Sequence, residues 1–279
     1  MSEKGHPGGH PGGHPGGKTG GHPGGHPGGK PKAGMPTALP GFDMETLTDT
    51  REKGAERDGA EQRLDKRLFM QLICFGECKD TAPLIKELEA SGMEAVLYAD
   101  VSDARGVGLL TMSEDPEFFV TKLRDFLNTS GFAALKPRPK FTMFGRTYAI
   151  GFEKNLEDWL LKRSRRVSCT EEWPWAVWYP LRRSGEFALL SKKEQGSILM
   201  EHGVIGRAFG EADLGHDIRL VSYGMDKNDN DFTIALIGKD LHPLSVLVQT
   251  MRRTKQTSTY IEKMGPFFVG RVIYYKPFA

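Results

Sequence analysis

The stretch RLFMQLICFGECKDTAPLIKELEASGMEAVLYADV, residues 67–101, contains three segments with different periodicities. Residues 67–75 form a predominantly apolar run of strand length, and residues 95–101 also predict a strand. Between them Leu84, Ile85 and Leu88 recur at helical spacing, and Gly92 follows as a stop signal. The stretch therefore predicts a strand, a helix over 81–92 and a second strand, which together begin a β-α-β unit.

The same order of elements occurs twice along the chain. The first half continues with a strand at 105–112, an amphipathic helix at 115–128 and a strand at 140–152. The second half predicts strands at 175–181, 216–224, 231–240 and 266–275, with helices at 191–209 and 242–253. The two halves also end alike, with FGRTY at 144–148 and VGRVI at 269–273.

This doubled pattern predicts an α+β fold. We expect two ferredoxin-like β-α-β-β-α-β halves, residues 67–170 and 171–279, packed sheet to sheet as a dimeric α+β barrel. Such a fold leaves a pocket between sheet and helices that suits a flat cofactor.

The N-terminal segment has a different composition. Five His-Pro-Gly-Gly copies lie between residues 6 and 29. A segment rich in glycine and proline and poor in aromatic residues cannot bury enough surface to offset chain entropy, so we expect residues 1–42 to be disordered. Its exposed imidazoles can collect Ni, Cu or Zn weakly, and the alternative is a solubilising tail; they are His6, His10, His14, His22 and His26. Residues 43–66 are highly charged and predict a linker or a solvated helix.

Composition limits the kinds of partner. The 38 basic and 36 acidic residues give a formal charge of +2, which exerts no global attraction toward nucleic acid or a membrane surface. The three cysteines, Cys74, Cys78 and Cys169, are too few and too odd in number for a disulfide framework. The chain has neither an apolar signal core at Met1 nor a membrane-spanning run. We therefore expect a cytoplasmic protein with a small-molecule or protein partner.

His202 is the histidine with a distinctive environment. It shares one face of the predicted helix with Ile198, Ile205 and Phe209, so it points toward the apolar side. Such a histidine is either a hydrogen-bonded core residue or an axial ligand of haem iron. Since the sequence has no Cys-x-x-Cys-His, any haem would be held non-covalently.

Four stretches of the second half then occur in a specific order. They are WAVWYPLRRSGEF (175–187), ILMEHGVIGR (198–207), Met251-Arg252, and Tyr260 followed by GPFFVG (265–270). In this order they resemble the chlorite dismutase family, which includes the coproheme decarboxylases. The resemblance is strong over 175–275, extends over 67–165 through the doubled topology, and does not include the tail. It implies a homo-oligomer, a pentameric ring.

The resemblance also implies roles for individual residues. His202 matches the proximal ligand of the iron in haem b or coproheme. Tyr179 matches the tyrosine that decarboxylases use as a redox-active residue beside a propionate. Arg252 and Thr257 match propionate-binding positions, and an arginine fork suits a carboxylate because it can bind in a bidentate manner.

One match departs from the family pattern, and another is uncertain in its register. Arg183 stands where decarboxylases usually carry a lysine, and it keeps the positive charge but is a poorer proton donor. Arg165 lies where a further anion-binding arginine occurs, within the basic run KRSRR at 162–166, so the match is open by one residue.

The sequence leaves two candidates for the residue that would face the iron on the distal side. Counting back from Gly224 gives Asp217, and a slip of two residues gives Arg219 on the same strand face. Asp217 would act as a proton acceptor for peroxide, whereas Arg219 would stabilise an oxyanion leaving from chlorite. A surface ion pair of the two is the third interpretation, and His216 points to the opposite face in either register.

The resulting hypothesis is a haem-type oxidoreductase. We expect peroxide-dependent decarboxylation of coproheme to haem b, with Tyr179 as the redox residue and with Arg252, Arg183 and Thr257 positioning the carboxylates. A haem b enzyme acting on chlorite, or as a weak peroxidase, is the first alternative. A non-enzymatic haem carrier or sensor is the second.

Overall fold

The computed structural model of the protein describes residues 47–278, so the tail predicted to be disordered and its five histidines lie outside the described residues. The chain divides into a unit that ends at Asp49 and a unit that begins at Thr50. Every element named below belongs to the second unit.

A β-hairpin precedes the first half. Strands β1 (Glu52–Arg57) and β2 (Ala60–Leu64) pair antiparallel around the turn Asp58-Gly59, where both φ angles are positive, at 54° and 81°. Such φ angles are typical of the Asp-Gly turns of hairpins. The prediction of a linker or a solvated helix over residues 43–66 is therefore wrong for residues 52–64.

Polar contacts hold this hairpin in place. The Glu52 carboxylate lies 2.7 Å from the Arg146 guanidinium and accepts a hydrogen bond of 3.0 Å from the Ala149 N–H. The Gln62 side chain donates to the Glu153 carbonyl at 3.1 Å. Because the hairpin depends on these long-range contacts, hydrophobic periodicity could not reveal it.

The first half follows the predicted element order. Its strands are β3 (Phe69–Gly76), β4 (Ala95–Asp100), β5 (Val107–Ser113), the short β6 (Lys136–Pro137) and β7 (Met143–Arg146). Helix α1 (Ala82–Ser91) follows β3, and helix α2 (Lys122–Thr129) follows β5. Short 3-10 turns occupy 116–119, 131–134 and 139–141. Helix α1 stops at Gly92, whose φ of 64° is a left-handed conformation that favours glycine.

The connection between the halves contains an irregular helix. A π-helical turn, Asp158–Lys162, leads directly into helix α3 (Arg163–Ser168). A π turn holds one residue more than an α turn, so it rotates the residues that follow it about the helix axis.

The second half also follows the predicted order. Its strands are β8 (Trp175–Arg183), β9 (His216–Val221), β10 (Phe232–Gly238), β11 (Ile261–Met264) and β12 (Phe268–Tyr275). Its helices are α4 (Gly185–Leu189), α5 (Lys192–Glu211), α6 (Leu241–Met251) and α7 (Lys255–Tyr260).

Eight of these strands close into one antiparallel barrel. The first half has the strand order β7-β3-β5-β4, and the second half has the order β12-β8-β10-β9. Strand β4 pairs with β12 and β7 pairs with β9, which joins the halves at both edges. This arrangement confirms the predicted α+β fold of two ferredoxin-like halves.

The two seams between the halves differ in extent. Five residue pairs join β4 to β12, whereas the single pair Arg146 and Val221 joins β7 to β9. At the weaker seam a Cβ atom on Gly145 would lie only 2.8 Å from the Leu220 Cβ atom and from the Val221 carbonyl oxygen. Glycine is therefore required for the two strands to approach each other.

Large side chains fill the barrel interior. Trp178, Tyr98 and Phe268 are at most 1% exposed. Inward-facing glycines make room for them, since a Cβ atom on Gly108 would lie 2.5 Å from the Phe268 ring and one on Gly270 would lie 2.7 Å from the Tyr98 Cβ atom. Because the interior is a packed core, a ligand site has to lie on an outer face of the sheet.

The two outer faces are covered to different degrees. Helices α1 and α2 seal the first half with fully buried side chains such as Leu88 and Leu123. On the second half Leu236 and Leu247 are buried, but Ile234 and Phe267 are only partly covered. The outer face of the second half therefore has the more accessible apolar surface.

Within residues 47–278 no helix is both long and apolar enough to cross a membrane. In the same range no three His, Cys, Asp or Glu side chains come together as a metal-ion site. Cys74 and Cys78 are buried thiols without a disulfide, and burial raises the pKa of the Cys78 thiol.

Candidate functional site

Helix α5 carries the candidate ligand His202 over the outer face of the second half. The helix begins with a capping box, in which the Ser191 hydroxyl accepts from the Glu194 N–H and the Glu194 carboxylate accepts from the Ser191 N–H at 2.9 Å. On its inner side Ile198 is buried, and Ile205 and Phe209 pack against the sheet. His202 lies on this same side, as its spacing predicts.

The His202 imidazole is held in its neutral form. Burial lowers the pKa of His202, and the positive charge of Arg219 lowers it further. Its Nδ1 atom is buried without a hydrogen-bond partner among the described residues. Since a buried nitrogen that lacks a partner is costly, this ring is better suited to a ligand than to a structural hydrogen bond.

Three strands of the sheet align the residues that face His202. Tyr179 on β8 is paired with Ile234 on β10, and Ile234 is paired with Arg219 on β9. Side chains directly opposite one another in an antiparallel sheet lie on the same face. Tyr179, Ile234 and Arg219 therefore form one row across the outer face, and Asp217 stands two residues from Arg219 on that face.

Tyr179 is a buried phenol stacked on an aromatic neighbour. It is 4% exposed, and its ring centroid lies 4.8 Å from that of Phe267 with the planes 29° apart. Burial raises the pKa of Tyr179, and the carboxylate of Asp217 adds to that effect. The phenol is consequently protonated at neutral pH, and its proton can leave only if an acceptor or an oxidation step removes it.

Asp217 and Arg219 form an ion pair that a second arginine completes. Arg219 Nε lies 2.9 Å from one carboxylate oxygen of Asp217, and Arg163 Nη2 donates to the other at 2.9 Å. Burial alone would raise the pKa of Asp217, but Arg219 and Arg163 together hold it below its usual value. Asp217 is therefore a poor proton acceptor in this arrangement.

Arg183 is a half-buried cation held between two rings. Its guanidinium carbon lies 4.4 Å from the Phe187 ring centroid and 4.8 Å from that of Phe232. The nearby Asp231 carboxylate accepts from the backbone N–H of Arg183 at 2.7 Å, and Arg183 Nε has no hydrogen-bond partner in residues 47–278. Burial lowers the pKa of Arg183, and the nearby Asp231 carboxylate offsets this effect only in part.

Arg252 and Thr257 lie at the far end of helix α6 and in α7. Arg252 is exposed, yet its positive charge is close enough to Tyr179 to oppose part of the rise in the pKa of that phenol. Thr257 is half-buried, and its hydroxyl accepts from the Thr254 hydroxyl at 3.3 Å. Arg252 therefore stands near Tyr179, and Thr257 follows it after one short turn.

Two residues considered from the sequence are not brought to this face. Arg165 is 7% exposed, and its guanidinium binds Glu94 at 2.6 Å, Glu114 at 3.2 Å and the Leu161 carbonyl at 2.6 Å. All of its donors are therefore directed away from the His202 cluster. His216 stacks on Trp173 at 3.7 Å and pairs with Asp213, which agrees with its predicted position on the opposite strand face.

Sequence reasoning missed three residues of the cluster. Tyr148 is a half-buried phenol whose pKa burial raises and whose nearest charges include Arg219 and Arg183. Trp159 and Arg163 lie on the π-helical turn and at the start of α3, next to Asp217 and Arg219. Trp159 lies outside the basic run at 162–166, and the π turn that contains it makes a regular helical count to Arg163 unreliable, so no sequence signal identified either residue.

Fold and site together define a class: a dimeric α+β barrel with a helix-borne histidine over an apolar and basic sheet face. The chain belongs to the chlorite dismutase family, because the family model described as chlorite dismutase matches residues 89–273. No curated protein sequence matches the chain.

Several solved structures share the fold. A candidate chlorite dismutase superposes with a TM-score of 0.60 at 15% identity, covering 75% of this chain and 95% of its own. A novel haem-binding protein from Thermus thermophilus has a TM-score of 0.57 at 19% identity, covering 76% and 92%. The chlorite dismutase of Candidatus Nitrospira defluvii in complex with imidazole has a TM-score of 0.58 at 14% identity, covering 75% and 92%.

Proposed function

We propose that this protein is a haem-dependent oxidoreductase that binds coproheme through His202 and uses peroxide to convert two of its propionates to vinyl groups, giving haem b. The observation that carries the proposal is the Arg183 guanidinium, a half-buried cation with an unpartnered Nε, on the strand face of the buried phenol Tyr179. A cation held in this way favours a carboxylate ligand beside the tyrosine.

The residues of the site fit a flat, negatively charged macrocycle. The buried imidazole of His202 is neutral and has an unpartnered ring nitrogen, as an iron ligand requires. Ile234, Met264 and Phe267 offer partly covered apolar surface on the facing sheet. Arg183 and Arg252 supply positive charge for propionates, and the Thr257 hydroxyl supplies a further polar contact.

A bound haem iron would supply the oxidising power of hydrogen peroxide to the site. Arg183 and Arg252 hold the propionate carboxylates and keep the reacting side chain near Tyr179. Tyr179 keeps its proton at Oη until it loses an electron with it, and it then recovers a hydrogen atom from the propionate chain. For each propionate, carbon dioxide and two hydrogens are lost, and hydrogen peroxide is reduced to two waters.

Mass spectrometry of the porphyrin tests this proposal. The coproheme-loaded protein is treated with stoichiometric hydrogen peroxide, and we expect the successive loss of two carboxyl groups. Tyr179→Phe should still bind coproheme but should leave its mass unchanged. Tyr274→Phe is the matched control, because this phenol packs against the first half, away from the site. Decarboxylation by Tyr179→Phe at the unmodified rate would refute the role of the phenol.

A second candidate function has one observation in its favour. Arg219 lies in the row of Tyr179 and lowers the pKa of His202, whereas Asp217 is occupied by two arginines. A distal arginine favours a haem b enzyme that acts on chlorite or as a weak peroxidase. An unchanged porphyrin in the peroxide experiment, with turnover of chlorite, would establish this function. Tight binding without turnover of either oxidant would indicate a haem carrier or sensor.

We also propose that the protein assembles as a homo-oligomer, a pentameric ring, as its family membership suggests. Light scattering of the full chain would measure the number of subunits. Weak binding of Ni, Cu or Zn by the tail histidines and a cytoplasmic location stay predictions. Calorimetric titration of the full chain with each metal, against a chain that starts at residue 43, would test the tail site.

A further inference from the structure

A π-helical turn lies beside the charged pair of the site. Residues Asp158–Lys162 form this turn, and Arg163 is the first residue of helix α3 that follows. The Trp159 indole is fixed by a hydrogen bond of 2.9 Å from its Nε1 to the Tyr148 carbonyl. π turns inside helices occur frequently at functional sites, so the contacts of this one are informative.

Two guanidinium groups share the Trp159 ring. The guanidinium carbon of Arg163 lies 4.7 Å from the ring centroid, and that of Arg219 lies 5.1 Å from it. Such cation–π contacts orient a planar guanidinium as well as attract it. The indole therefore restricts the positions that both arginines can take.

Arg163 also fixes the carboxylate that contacts Arg219. Its Nη1 donates to the Asp217 carbonyl oxygen at 2.6 Å, and its Nη2 donates to Asp217 Oδ1 at 2.9 Å. The other carboxylate oxygen, Oδ2, lies 2.9 Å from Arg219 Nε. This is a charge contact without hydrogen-bond geometry, and the Arg219 side chain donates no hydrogen bond within residues 47–278, so its guanidinium stays available to another anion.

We infer that Trp159 and Arg163 are positioning residues that set the Arg219 guanidinium as an anion-binding group facing His202. The inference rests on the proposed binding of haem through His202. The two arginines and the one aspartate of this cluster carry a net positive charge, so the cluster attracts an anion. Arg163 is required for the net positive charge, because without it the negative charge of Asp217 would cancel the positive charge of Arg219.

Fluoride binding to the haem-loaded full-length protein tests the inference. Fluoride coordinates ferric iron as an anion that accepts hydrogen bonds, whereas imidazole coordinates it as a neutral ligand. Both affinities can be read from the visible absorbance of the haem without any turnover. The variants are Arg163→Gln and Trp159→Leu. Arg166→Gln is the matched control, because Arg166 is an exposed arginine on the same helix that pairs with Asp158.

Arg163→Gln should weaken fluoride binding by about tenfold, the loss expected when one charge-assisted hydrogen bond is no longer aligned. Trp159→Leu should weaken it in the same direction. Imidazole affinity should stay unchanged in both variants, and Arg166→Gln should alter neither ligand. In the background of Arg219→Gln, Arg163→Gln should have no further effect, because Arg163 acts through Arg219.

Each other outcome overturns a specific statement. Unchanged fluoride affinity in Arg163→Gln and Trp159→Leu would show that these residues do not position Arg219. Parallel losses of fluoride and imidazole affinity would show a general structural role instead. A haem absorbance that His202→Ala does not alter would refute the proposed ligand itself, which is a different failure.

Discussion

Replacing Arg165 by methionine should destabilise the fold and leave porphyrin binding unchanged. Replacing Arg183 by methionine should weaken porphyrin binding and leave the stability of the fold nearly unchanged. The family resemblance implies that both arginines bind a cofactor carboxylate, but the structure surrounds them differently. Arg165 binds Glu94 through two nitrogens, at 2.6 and 3.2 Å, and also contacts Glu114 and a carbonyl. Arg183 contacts two aromatic rings and has an unpartnered Nε.

The size of the Arg165 effect follows from the exposure of its partners. Removing one partner of a fully buried ion pair costs roughly 3–5 kcal/mol, because the remaining charge has no compensation. The Arg165 side chain is 8% exposed, but those of Glu94 and Glu114 are 42% and 41% exposed and can be solvated once it is gone. We therefore expect Arg165→Met to lower the free energy of unfolding by about 2 kcal/mol. That loss corresponds to a decrease of about 4–8 °C in Tm for a domain of this size.

Arg183→Met removes a cation that burial already disfavours, and the methionine retains contact with the Phe187 and Phe232 rings. We therefore expect a change in unfolding free energy of about 0.5 kcal/mol or less. Its affinity for coproheme should fall by about tenfold or more, the cost of one charge-assisted carboxylate contact.

Urea denaturation of the cofactor-free protein and absorbance titration with coproheme separate the two effects. Arg166→Met serves as the control for both assays, since this exposed arginine should change neither quantity appreciably. A variant Arg165→Met with unaltered stability and weakened coproheme binding would contradict the reasoning and restore the role that the sequence suggested.

Three further predictions concern the scaffold. Gly108→Ala should destabilise the barrel by about 1–3 kcal/mol by overpacking, and adding Phe268→Leu should recover part of the loss in urea denaturation, because the new Cβ atom would lie 2.5 Å from the Phe268 ring. Lys239, His216 and Trp173 hold the pKa of Asp213 at about 2, below its ordinary value of 3.8. The ionised Asp213 therefore stabilises the fold fully above pH 3.8, and this stabilisation is lost as the pH falls through about 2. Acid unfolding of Asp213→Asn should lack this component. Ser191→Ala should cost about 1 kcal/mol by removing the cap of the His202 helix, as thermal unfolding would measure, and an unchanged Tm would contradict the assigned cap.

The element order of the barrel was predictable because each strand and helix carries its own periodicity. The apolar run at 67–75 and the helical spacing of Leu84, Ile85 and Leu88 are local signals that long-range contacts then reinforce. The hairpin at 52–64 has no such signal, because its residues are mostly charged. Its position depends on partners such as Arg146, more than eighty residues away along the chain.

The site was predictable for residues whose spacing is regular and unpredictable where the helix is irregular. His202 lies on a regular helix, so counting in steps of three and four places it correctly on the inner side. The basic run at 162–166 begins on the last residue of a π turn, which rotates the helix relative to a regular count. Arg163 consequently contacts Asp217, while Arg165 is directed toward Glu94 and Glu114.

Sequence alone also could not choose between Asp217 and Arg219. The two residues alternate onto the same strand face, so periodicity gives both the same prediction. The distinction comes from Arg163, which is 54 residues away and occupies the Asp217 carboxylate. Contacts across such a distance leave no trace in the local pattern.

The single residue pair between β7 and β9 has a consequence for hydrogen exchange. Strand β9 is bonded along its length to β10 on one side, but on the other only Val221 pairs with Arg146. Amides at that edge should exchange through local openings that need far less free energy than global unfolding. Because β9 carries Asp217 and Arg219, an anion bound to Arg219 should slow exchange at Val221, and the weak seam becomes a site-specific reporter of ligand binding.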